Sequence, residues 1–222
     1  NVEEWRRNDY YKTQEEYLFA VADAMREEYN AIVAAGFLVQ IDDPRLVSYY
    51  MVRPDASIAD CRKWANVRVE ALNHALRDIP REKIRHHTCY GINEGPRIYE
   101  ASLEQVVGSM LKVNAGYYSF EAANARHEHE YHLFETVKVP DGKVLCPGVI
   151  THASNIVEHP ELIAERIMRF AKLVGRENVM AGADCGFSSQ ALYRTEVHDT
   201  VVWEKFKALR QGADLATKQL WK

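Results

Sequence analysis

Several common signatures are missing from this chain of 222 residues, and each absence removes a class of function. There is no run of Lys and Arg and no basic stripe. The 28 basic residues stand against 32 acidic ones, for a formal net charge of -4. Neutralising a phosphate backbone needs clustered positive charge, so no nucleic-acid partner is expected. No apolar run reaches the roughly 20 residues that span a bilayer, and no membrane association is expected. The opening stretch NVEEWRRNDYYKTQEEY is charged and aromatic, unlike a leader. No strand-like segment is followed by the glycine-rich turn that cradles a dinucleotide. Cysteine is scarce: Cys61, Cys89, Cys146 and Cys185. Four cysteines so far apart suit a reducing, cytoplasmic setting, where they are buried, metal-bound or reactive. Cys61 lies in a helical pattern and Cys146 in a strand-like run, and plain packing accounts for both.

What remains is apolar residues, 47% of the chain, arranged in two alternating periods. Residues 13–35 repeat apolar positions at helical spacing and stop at Gly36. FLVQID (37–42) then reads as a buried strand. Helical patterns over 58–79, 102–113, 160–175 and 199–218 alternate with strand-like runs over 83–89, 117–121, 144–150 and 178–184. A short helix is expected over 127–136. Pro160 and Gly175 mark the two ends of one helix. Five βα units imply a parallel sheet in a single α/β domain over residues 1–222. A doubly wound open sheet is one solution. A TIM-type (β/α)8 barrel is the other, and a whole barrel needs about 250 residues. Because the chain opens on a helix, the expectation is an incomplete barrel of about the last five βα units. Such an arc leaves open strand edges, so oligomers are an expected state.

The polar residues that bear chemistry cluster at expected strand ends: Asp42, then His87 and Cys89, then Glu121, then Asp184 and Cys185. In parallel α/β folds those ends form one face, where ligands bind. His87 and Cys89 are two apart, so an extended strand points both to the same side. With Glu121 and Cys185 they make an N/S/S/O set suited to tetrahedral Zn2+. Two thiolates and a carboxylate leave such a centre with a net charge of about minus one, a weak hydrolytic Lewis acid but a good holder of an incoming thiol as thiolate. Beyond Glu121 the segment AANARHEHEYH offers Asn124, Arg126 and His127 for substrate contact, and His127 for catalysis. His127, His129 and His132 lack H-E-x-x-H spacing, and a polar loop explains them better than a second metal site. The segment Gly91-Ile92-Asn93-Glu94-Gly95-Pro96-Arg97 is expected to line the site, with no phosphate-loop spacing and no cofactor assigned.

The ordered set QIDDP (40–44), HHTCYG (86–91), SFEAANAR (119–126), VEHPELIAERI (157–167) and GRENVMAGADCGF (175–187) resembles the catalytic domain of cobalamin-independent methionine synthases. It is closer still to short methionine-synthase-like proteins, a wider group that includes epoxyalkane:coenzyme M transferases. The resemblance implies a TIM barrel, with His87, Cys89, Glu121 and Cys185 as zinc ligands. It implies that Asp42 binds the amino group of homocysteine, and that an alkyl group passes to a zinc-held thiolate. The resemblance implies a small-molecule thiol partner but leaves open which thiol it is and whether the donor is a folate, a methylated corrinoid protein or a small electrophile such as an epoxide. The departures are the first strands and the large N-terminal domain, together with Gly182-Ala183 before and Phe187 after the D-C-G motif, where synthases carry proline and an aliphatic residue. Homocysteine methylation to methionine is thus the leading expectation. Coenzyme M-type thiol alkylation and a hydrolase or lyase using metal-bound water are the alternatives.

Overall fold

A computed structural model describes residues 2–53, 55–91, 100–188 and 197–222. The first long helix, α1 (Gln14–Ala34), begins where Thr13 accepts a hydrogen bond from the Glu16 backbone N–H, which satisfies one of the donors a helix start leaves over. The strand β1 (Val39–Asp43) follows, then a short helix α2 (Arg45–Val52) and α3 (Ile58–Ala75). A reciprocal capping box between Ser57 and Asp60 opens α3. Next come β2 (Ile84–Thr88), α4 (Leu103–Met110), β3 (Tyr117–Phe120), a 3-10 helix (Glu128–Glu135) and β4 (Val144–Ile150). The chain ends through α5 (Pro160–Val174), a short β5 (Gly182–Ala183) and α6 (Asp199–Leu220). Proline opens α5, and Gly175, at φ 90°, follows its last residue.

All five strands are parallel and lie in sequence order, β1-β2-β3-β4-β5. That is an arc of consecutive βα units of a TIM-type barrel. Strand side chains alternate between faces. On one face Val39, Ile41, Ile84, Tyr118, Phe120 and Leu145 join the main core with residues of α3 and α4. On the other face the register lines up Asp42 with His87, His87 with Ser119, and Ser119 with Cys146. This polar row crosses four strands on the side that would be the barrel interior. Cys61 and Cys146 are buried, in keeping with packing roles.

Two elements differ locally from the sequence pattern. The stretch 178–184 forms strand only at Gly182–Ala183. Val179 makes an isolated bridge to Leu145, and the register against β4 then shifts between Gly148 and Ile150. Within the stretch 127–136, Glu128–Glu135 form a 3-10 helix rather than an α-helix. No helix among the described residues is long and apolar enough to cross a membrane.

Candidate metal centre

The end of β2 supplies the first two groups. His87 is buried at the penultimate position of the strand, and Cys89 lies just past its end, where its backbone N–H still donates to Asp43 O. Cys185, immediately after β5, brings its Sγ to 3.3 Å from the Cys89 Sγ. One ring nitrogen of His87 and the two sulfurs lie within 4.8 Å of one another. The Gly91 backbone N–H also donates to Cys89 Sγ at 3.3 Å. The hydrogen bond from Cys185 holds the Cys89 thiol far below its ordinary pKa, outweighing burial, with His87 and the Gly91 N–H assisting. The same contact, with burial, pushes Cys185 up. The one contact thus shifts the two sulfurs in opposite directions, Cys89 toward thiolate and Cys185 toward thiol.

This donor set fits zinc. Two sulfurs bound at about 2.3 Å in a tetrahedron would stand roughly 3.8 Å apart, so this pair need spread by only about 0.5 Å. A thiolate already favoured without metal lowers the proton cost of coordination. His87 is oriented from behind: its Nδ1 lies 3.0 Å from Ser119 Oγ, which also accepts from Arg85 Nη2 at 3.1 Å. His87 Nε2 faces Asp42 Oδ1 at 3.7 Å. Asp42 is partly exposed, and burial together with the neighbouring Cys89 charge raises its pKa. Both residues line a cavity of about 450 Å3 with Gln40, Arg85, Cys89 and Cys185.

Glu121 is not brought into the His-Cys-Cys trio. It groups with His152 and Asp184, all three buried and with ligand atoms within 4.8 Å of one another. Asp184 is completely buried, and burial raises its pKa although its Oδ1 accepts from the Ala122 and Ala123 backbone N–H groups, both at 2.8 Å. His127 is buried beside them. Its Nδ1 is 2.8 Å from Glu130 Oε2, and its Nε2 is 3.3 Å from Glu100 Oε2 and 3.9 Å from Glu121 Oε2. Burial opposes its charge, but the bonds to Glu100 and Glu130 and the nearby carboxylates prevail and push it up to about 9. The Tyr90 ring packs on it at 4.2 Å between centroids. Arg126 is paired with Glu100 at 2.8 Å. Asn124 lies between Glu121 and Asp184.

His129 and His132 turn outward to solvent and do not converge with His127. Of the loop 91–97, residues 92–97 lie outside the described residues. Sequence reasoning passes over His152. It follows β4 by two residues, so the strand-end rule that singles out the other groups would have found it.

Comparisons with known proteins point the same way. The profile of the family described as "Cobalamin-independent synthase, Catalytic domain" matches residues 4–202. A methionine synthase of Saccharolobus islandicus is 28% identical over 221 residues, covering 99% of this chain and 56% of that protein. A methionine synthase of Thermococcus kodakarensis is 21% identical, covering 99% of this chain and 55% of its own length. The chain thus spans little more than half the length of these relatives. The solved structure of a B12-independent methionine synthase from Shewanella sp. W3-18-1, in complex with selenomethionine, superposes with a TM-score of 0.71. It is 24% identical, with 96% of this chain and 58% of that one covered, and it speaks for the fold.

Proposed function

The chain belongs to the cobalamin-independent synthase catalytic-domain family, and from that premise we propose that it takes part in zinc-dependent methyl transfer to the sulfur of homocysteine, giving methionine. The observation that carries this reading is the convergence of His87, Cys89 and Cys185 within 4.8 Å at the ends of β2 and β5. These three residues would hold the metal, with Glu121 as the fourth ligand. Zinc, when bound there, supplies the acidity that keeps a thiol deprotonated at neutral pH.

The remaining roles fall to the chain's own groups. Asp42 faces the cavity beside His87 and is suited to take the ammonium of an amino-acid thiol. Two thiolates and a carboxylate keep the centre electron-rich, so a sulfur held there stays nucleophilic. The sulfur–carbon bond forms as the donor's methyl bond breaks, and the donor's leaving atom must then take up a proton. His127, protonated across neutral pH, holds one near the site. A methylated folate is the donor in this reading. Arg126, partly exposed on the loop after β3, remains the candidate for contact with an anionic substrate group.

The test is zinc content per chain together with methyl transfer to homocysteine, in the unchanged protein and in Cys185→Ala. The expected result is one zinc and thiol-dependent turnover, both lost in the variant. Zinc-independent or thiol-independent turnover would refute the proposal.

A further inference from the structure

Asn124 lies three residues past Glu121, and its amide is committed entirely within the protein. Its Oδ1 accepts from the backbone N–H groups of Arg126 (3.0 Å) and His127 (3.2 Å). Those two donors fix which end of the amide is oxygen. The nitrogen then faces two carboxylates, at 2.8 Å from Glu121 Oε2 and 3.1 Å from Asp184 Oδ2. An amide nitrogen carries two hydrogens, one for each. Asp184 completes the frame by accepting the Ala122 and Ala123 N–H groups through its other oxygen. The frame ties the end of β3 to the residue preceding Cys185, although β4 lies between those strands in the sheet.

Such an arrangement answers a physical difficulty. Two buried carboxylates this close repel each other. A neutral amide shared between them offsets that repulsion without adding a charge. It also occupies one oxygen of Glu121 and so limits how that carboxylate can turn. Because both amide hydrogens are used, Asn124 has none left for a substrate.

We propose that Asn124 is a positioning residue, one that sets the orientation of Glu121 and couples it through Asp184 to the strand end bearing Cys185. The inference rests on the zinc reading above and gives Asn124 a different task from substrate contact.

The experiment is a zinc competition titration against a chromophoric chelator on the purified protein. The variants are Asn124→Ala, Asn124→Ser, Glu121→Ala and the two double variants. Serine keeps an acceptor for the loop N–H groups while losing the amide donors, so the turn survives where alanine could unfold it. Either single Asn124 change should weaken zinc binding by about 10–100-fold, the range for groups that orient a ligand. In the Glu121→Ala background the same change should cost less than about 3-fold, because coupled residues are not additive. Cobalt-loaded Asn124→Ser should show ligand-field bands moved toward those of Glu121→Ala. Equal weakening in both backgrounds, or unchanged affinity in the folded serine variant, would overturn the positioning role and leave the zinc reading intact. An unchanged protein that takes up no zinc overturns the zinc reading and this inference with it.

Discussion

Gly148 on β4 is a position where one added carbon should do severe damage. A Cβ there would lie 1.9 Å from Asp184 Oδ1 and 2.6 Å from both Asp184 Cα and Asp184 N. The carboxylate could rotate away, but the backbone atoms could not. The end of β5 would have to retreat by about 1 Å to restore ordinary contact, and overpacking of this kind costs roughly 1–3 kcal/mol. Retreat also pulls Asp184 off the Ala122 and Ala123 N–H groups, which are buried; stranding a buried donor costs about 1–3 kcal/mol. Gly148→Ala should therefore lose about 2–6 kcal/mol, a large share of the 5–15 kcal/mol typical of a folded domain. Because Cys185 follows Asp184 directly, zinc affinity should fall as well. Urea unfolding followed by circular dichroism measures the first effect and chelator competition the second. Gly186→Ala is the control, on the other side of Cys185, with nothing within 4 Å of its added carbon. It should leave stability within about 0.5 kcal/mol. A Gly148→Ala protein as stable as that control, with full zinc affinity, would refute the reasoning.

Gly108 lies inside α4 with open space around it, so Gly108→Ala should raise stability by up to about 1 kcal/mol in the same unfolding assay. Ser119→Ala removes the partner of His87 Nδ1 and should weaken zinc binding about 10–100-fold, measured by competition titration. Glu128 accepts from Arg166 Nε and Nη2 and from Arg169 Nη1; burial raises its pKa, but these guanidinium groups prevail and hold it below 4.5. A depressed carboxylate stabilises the fold above its unfolded pKa, and that contribution is lost as pH falls through its folded value. Glu128→Gln should therefore cost roughly 1.5–3 kcal/mol at pH 7, and the gap to the unchanged protein should close below pH 4.5. A gap that widens on acidification would contradict this.

The alternation of βα units is legible because each long helix carries both its period and its punctuation, as with Thr13 before α1 and Pro160 and Gly175 around α5. The helix α2 is not legible. Its eight residues give barely two turns, and Pro44 precedes it without a side-chain cap. The shortening of β5 is invisible for another reason: the register shift against β4 depends on pairing across strands, which no local pattern encodes. In the site, His87 and Cys89 are legible from strand period alone, and Cys185 from its place at a strand end. The task of Asn124 is not, because it depends on Asp184, 60 positions away. The same holds for the high pKa of His127, which Glu100 raises from 27 positions earlier, on the other side of α4 and β3 in the chain.

The two sulfurs of the centre are 96 positions apart in the chain. On a ribosome adding about 5–20 residues per second, Cys185 is made roughly 5–20 s after Cys89. During that interval the contact that most lowers the Cys89 pKa does not exist. Until then Cys89 lacks the sulfur that stands 3.3 Å from it in the folded chain. The third of the converging groups therefore arrives only when the fifth strand docks, so the order of synthesis leaves the centre incomplete until the barrel arc has formed.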